Sequence, residues 1–335
     1  MKKILYFAAV IVLAFVGCSK SDDVNTQNEQ FTITATIGDV NTRTSYTDET
    51  ADATKGLKVE WEANEKISVV EVNENGVFTN NYWTFTSNNA AGTTATFTAP
   101  NDFATTDGCN YIAVYPALTD GVNGPYAGVA QNDVAALIRD NSQFMELHYL
   151  RTDYFNQKGA TNMDILKAYD VMVSPIEFSN NNADINLVKL NAVIKFDLQL
   201  PNDAVDNQIY KLTFSGTNDF TYSDGGIGLS YIVDNKLWWS YGNTNSRLSI
   251  LLKNETDSGY MIVPEGGKIS VYVPVAGSKL GQSVMNFLRK NDTYTIKLDG
   301  VEKDYSASKT MGDEDIVLEQ GKVYVIKAAL VEIEE

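Results

Sequence analysis

Phe31, Ile33, Ala35 and Ile37 alternate with Thr32, Thr34 and Thr36 in the stretch FTITATIGDVNTRTSY. That is the two-residue period of a strand with one buried and one wet face. Gly38 and Asp39 break the run, and Arg43, the only arginine before Arg139, stands in the polar loop that follows. Further runs predict strands over Leu57–Trp61, Lys66–Val70, a segment opening at Gly76 and passing through Trp83 to Phe85, Thr93–Thr98, and Tyr111 up to Pro116. Within 131–167, Val134, Leu137 and Ile138, and again Met163, Leu166 and Lys167, have helical spacing over stretches too brief for long helices. They predict short helices or irregular crossings. Ala168–Pro175 returns to an apolar run.

Asn180-Asn181-Asn182 reads as a linker between an N-terminal unit, 31–178, and a C-terminal unit, 183–335. In the second unit Ile185–Leu200 predicts a strand pair or one long strand ending at Pro201. Ile209–Phe214, Arg247–Leu252, Tyr260–Val263, Lys268–Val273 and Thr293–Leu298 follow as strands, and Ser283–Arg289 as one short helix. Lys322–Ile333 predicts a final strand of twice the usual length. Over its end, 328–335, Leu330 takes one face and Ala329, Val331 and Ile333 the other. Many short strands joined by polar turns make an all-β chain of two β-sandwiches with few short helices.

Charge narrows the partners. The chain of 335 residues has 26 basic and 43 acidic residues, a formal net charge of −17. Nucleic acid and anionic lipid surfaces would repel it. Lys2 and Lys3 precede an apolar run from Ile4 to Val16, with Gly17-Cys18 next, the pattern of a secretory signal over 1–17. Phe15-Val16-Gly17-Cys18 resembles a lipobox, after which Cys18 would be acylated and become the first mature residue. Ser19-Lys20-Ser21-Asp22-Asp23 continues as an acidic tether over 18–30, resembling the signal that sends lipoproteins to the outer face of an outer membrane. Cys109 is then the one cysteine of the folded part, read as a small buried apolar residue.

No catalytic set emerges, so no enzyme and no cofactor are expected. His148 is the only histidine and no G-x-S-x-G elbow accompanies it. No histidine–cysteine cluster offers zinc ligation, and Asp224-Gly225-Gly226-Ile227-Gly228 misses the dinucleotide spacing. Trp238-Trp239 could contact a partner or stack on a sugar ring, since adjacent strand residues face opposite sides.

The order of several segments is more specific than any one of them. Arg43-Thr44-Ser45-Tyr46, Val59-Glu60-Trp61, Glu65–Val69, Tyr111–Pro116 and Asp170–Ser174 are followed by Leu187–Ile194, Gly259–Pro264 and Leu318–Tyr324. Together they resemble the fimbrillin family, lipoprotein precursors of type V pili and their non-pilus relatives. Lys189 stands where many members have histidine. The resemblance implies two tandem transthyretin-like sandwiches and a surface protein lipid-anchored in the outer membrane. It also implies an arginine-specific protease cutting between Arg43 and Thr44. The strand bearing Phe31, Ile33, Ala35 and Ile37 would leave, and a neighbouring pilin's C-terminal strand, with Ala329, Val331 and Ile333, would replace it. Losing Phe31, Ile33 and Ile37 from a core would cost on the order of 5–9 kcal/mol, against about 5–15 kcal/mol for a whole domain. The emptied groove would need a new strand. Two roles follow: a polymerising pilus subunit serving adhesion, or a surface lipoprotein that keeps its first strand and binds a host protein or glycan.

Overall fold

The structure is a computed structural model. It describes residues 30–37, 45–48, 57–88, 92–118, 144–147, 156–163, 165–166, 170–232, 236–256, 259–278 and 287–334. These residues are all-β apart from a 3-10 turn at Asn202–Ala204 and a helical step at Ile165 and Leu166.

The strands of the first half are β1 (Thr32–Ile37), β2 (Ser45–Asp48), β3 (Leu57–Glu60), β4 (Lys66–Val72), β5 (Phe78–Ser87), β6 (Thr94–Thr98), β7 (Asn110–Tyr115), β8 (Phe144–Leu147), β9 (Asn156–Lys158), β10 (Met172–Ile176) and β11 (Asn182–Lys189). Seven of them close into a barrel in the order β1-β11-β10-β7-β4-β5-β6. Two joints are minimal: β5–β6 and β10–β11 each pair over only two positions. The ladder therefore divides into a β6-β1-β11 half and a β10-β7-β4-β5 half, bridged at both corners.

The second half comprises β12 (Asn191–Gln199), β13 (Gln208–Gly216), β14 (Thr221–Ile232), β15 (Lys236–Asn245), β16 (Arg247–Lys253), β17 (Met261–Ile262), β18 (Lys268–Ala276), β19 (Phe287–Leu288), β20 (Thr293–Gly300), β21 (Tyr305–Thr310), β22 (Ile316–Val317), β23 (Val323–Ala329) and β24 (Val331–Glu332). A three-stranded sheet, β18-β12-β23, faces a larger one, β24-β21-β20-β13-β16-β9 with β17 on β13, across a shared core. Gln157 closes one side. Its amide donates to the Ser270 carbonyl and accepts from the Tyr272 N–H, tying β9 of one sheet to β18 of the other.

Strands β4 and β7 explain the continuous apolar runs KISVVEV and YIAVYP. Ile67, Val69, Ala113 and Tyr115 fill the barrel. Val70, Val72, Ile112 and Val114 face outward into the same core as Leu190, Ile194 and Phe196 of the second half. A strand buried on both faces has no polar face to alternate.

Four expectations change. Asn180 and Asn181 take positive φ of 48° and 66° in a two-residue turn closed by reciprocal Ser179–Asn182 backbone bonds, not a linker. Asparagine tolerates that conformation better than other side chains. Beyond the turn β11 joins the first barrel, so the ladder changes over at Leu190 rather than at 183. Phe287 and Leu288 form a strand against Ile316 and Val317 instead of part of a helix. The final strand is two: β23 runs parallel to β12, and beyond buried Leu330 the chain passes to β21 as β24. Within 131–167, β8 and β9 pair with β14 and β16 and Ile165–Leu166 make one helical step, while Val134, Leu137, Ile138 and Lys167 lie outside the described residues.

One buried ion pair fixes the β10–β11 corner. Lys189 Nζ lies 2.6 Å from Asp170 Oδ2, with the side chains 6% and 1% exposed. Burial pulls the Lys189 pKa down and Asp170 partly restores it. Lys189→Met leaves the buried carboxylate without this cation and should cost about 3–5 kcal/mol in urea unfolding. Adding Asp170→Leu should recover most of that loss, because a matched apolar pair needs no desolvated charge.

Candidate functional site: the first strand and its groove

Strand β1 lies between two others. It pairs antiparallel with β6, from Thr32 opposite Thr98 to Thr36 opposite Thr94, and parallel with β11, from Thr32 opposite Asn182 to Ile37 opposite Leu187. The ladder continues past each end: Ala99 N–H donates to the Phe31 carbonyl, Thr32 N–H to Asn181 and Ile37 N–H to Thr93. Taking β1 away would open two strand edges at once.

Its side chains divide as the alternation requires. Ile33 and Ala35 are fully buried and Ile37 nearly so, while Thr32, Thr34 and Thr36 are half-buried. The groove therefore reads large, small, large along the barrel core. Phe31 sits just ahead of it, edge-on to Phe103 at 4.9 Å and to Phe178 at 5.3 Å. Phe103 also meets Trp83 and Phe85, so the entry to β1 is packed by aromatic rings.

Near that end Glu71 of β4 is 3% exposed. Its carboxylate accepts from the hydroxyls of Thr106 at 2.7 Å and Thr79 at 3.0 Å, the Asn81 amide at 3.0 Å and, more distantly, Tyr111. Burial pushes its pKa up, but these four donors outweigh burial and hold it below the ordinary value. Cys109 is partly exposed, and burial with the charges of Glu71 and Glu74 raises its thiol pKa. The thiolate, the form that reacts, is disfavoured. Among the described residues no group of three or more His, Cys, Asp or Glu is placed to hold a metal.

The other sites predicted from sequence scatter. Cys18, Arg43, Thr44 and His148 lie outside the described residues. Arg43 falls between the end of β1 and the start of β2, so the whole of β1 lies on the N-terminal side of that residue. Trp238 and Trp239 are on β15 opposite Ser230 and Leu229, away from the groove in sequence and in sheet. At the C-terminus Ala329, Val331 and Ile333 are exposed and Leu330 is buried. Sequence reasoning missed β11 as the second wall of the groove. The signal was present: Ala183, Ile185 and Leu187 are buried and alternate with exposed Asn182, Asp184 and Asn186.

No protein-family profile matches the sequence, and no protein of curated function matches it. Solved structures do. A Bacteroides uniformis protein provisionally described as a cell adhesion protein is 14% identical, with a TM-score of 0.43 over 93% of this chain and 99% of its own. A Bacteroides ovatus protein with the same provisional description is 12% identical, with a TM-score of 0.45 over 91% and 96%. A fimbrial protein from Bacteroides ovatus is 12% identical, with a TM-score of 0.33 over 88% of this chain and 47% of its own.

Two measurements test this site. Ile33→Ala should lower unfolding free energy by about 2–5 kcal/mol, whereas Thr34→Ala on the other face should change it by about 0.5 kcal/mol or less. For Glu71 the folded-state pKa is depressed, so its stabilisation is present above the ordinary carboxylate pKa and lost as pH falls through the folded value. Glu71→Gln should therefore flatten the acid limb of a stability–pH profile.

Proposed function

We propose that the chain is a fimbrillin-like surface lipoprotein that serves as a non-enzymatic subunit of an adhesive filament. Cys18 anchors the precursor to the outer membrane, and an arginine-specific protease cuts after Arg43. Strand β1 then leaves, and a neighbouring subunit's C-terminal segment enters the groove. The order of sequence segments described above supports the family, including its tandem transthyretin-like sandwiches. One structural observation carries the mechanism: β1 pairs with strands on both sides and precedes the arginine, so a single cut frees one whole strand.

The groove also constrains its replacement. Ile33, Ala35 and Ile37 define a large–small–large track. Ile326, Ala328 and Leu330 repeat that order on the inward face of β23 and the residue after it. Ala329, Val331 and Ile333 would set Val331 against the Ala35 position, where added methyl groups cost about 1–3 kcal/mol. The donor face is therefore Ile326, Ala328 and Leu330. Donation requires β23 to leave β12, which it pairs from Val323 through Ala329, whereas β24 is held by two ladder positions and the Lys303–Glu332 pair at 2.7 Å. Release would begin at β24.

The test uses chain cut after residue 43 and freed of β1. A synthetic peptide of residues 323–334 should raise its melting temperature in a saturable way. The same peptide with Ala328→Trp should not, because the small site cannot take the ring. A native peptide no better than its scrambled form would overturn the donor assignment.

A further inference from the structure

We propose that the cleft where the chain enters β1 is a binding site for a neutral sugar unit. Its volume is about 440 Å³, and Gln30, Phe31, Asn101, Phe103 and Asn181 line it together with the small residues of the 99–104 loop. That size lies within the range of small-molecule sites. Among the described residues no charged side chain lines the cleft, in a chain of net charge −17, so no described group there compensates an ionic ligand. The lining includes the half-buried ring of Phe31, backed by buried Phe103, and three side-chain amides. An amide carries two N–H donors and an acceptor, which suits hydroxyl groups even where one donor is already bonded, and the exposed part of the Phe31 ring suits the C–H face of a pyranose.

The cleft is built rather than incidental. Phe31 and Phe103 are locked edge to face, and Phe103 is held in turn by Trp83 at 5.0 Å. Gln30 Nε2 donates to the Ala99 carbonyl at 2.8 Å, bracing the rim. Asn181 is fixed by its positive φ of 66°, and its carbonyl accepts from Thr32. These bonds also argue against a peptide strand as the occupant. The Thr32 and Ala99 N–H groups beside the cleft are already paired, so they offer no edge to extend. Gln30 and Phe31 lie ahead of β1, so the site exists only in a chain that keeps its first strand. The inference concerns the uncut chain and does not require the strand exchange proposed above; if that exchange occurs, the uncut form has an activity that the cut form lacks.

The full mature chain would be titrated with D-galactose, D-glucose, N-acetyl-D-glucosamine and L-fucose and followed by saturation-transfer NMR. At least one sugar should receive saturation with millimolar affinity. Ala104→Trp, which fills the cleft from an exposed position, should weaken that response roughly tenfold or more. Asn101→Ala, also at an exposed position, should weaken it less, and paired Trp238→Ala/Trp239→Ala should leave it unchanged. Silence toward all four sugars at about 20 mM would overturn the proposal. So would a response that survives Ala104→Trp or vanishes with the Trp238/Trp239 variant. Thermal melts of each variant separate loss of binding from loss of fold.

Discussion

The barrel depends on one strand being paired on both sides. Without β1 the β6-β1-β11 half loses its middle, and β6 and β11 are left on corners that pair over two positions each. Those corners are too slight to hold the walls by backbone bonding alone. In the intact barrel the Lys189–Asp170 pair braces the β10–β11 corner, and β4 and β7 pack against the second half. Under the proposed exchange, the strand that leaves is the middle of the half whose corners pair least. Burying Ile33 and Ile37 is worth about 1.5–3 kcal/mol each, too much to leave unfilled for long and little enough for another strand to match.

The two halves are one packing problem. Outward-facing Val70, Val72, Ile112 and Val114 share a core with Ile194 and Phe196, while β8 and β9, from the first half of the chain, pair with β14 and β16 in the second. Strands β4 and β7 are thereby held by contacts beyond their barrel partners. At the far end the chain crosses from one sheet to the other at Leu330, so the last residues close the second sandwich lightly.

Particular residues show how far the sequence carried. Alternation alone located β1, because Ile33, Ala35 and Ile37 are inside and the three threonines are not. It located β11 as a strand too, but three asparagines in a row read as a linker, and only the backbone shows two of them in a tight turn. The runs around Val69 and Val114 are strand-like in composition, yet their second buried face depends on a partner over seventy residues away. Phe287–Leu288 is ambiguous for a general reason: a brief apolar run fits helix or strand equally well. The aromatic entry around Phe103 and the buried carboxylate of Glu71 are assembled from distant segments, so no local pattern announces them.

The central claim is that the first strand is removable by a single cut. The most direct measurement is the N-terminal sequence and intact mass of the native protein recovered from the cell surface. The account predicts polypeptide beginning at Thr44. Surface material beginning uniformly at acylated Cys18 would contradict it and leave a lipoprotein that keeps β1 in place.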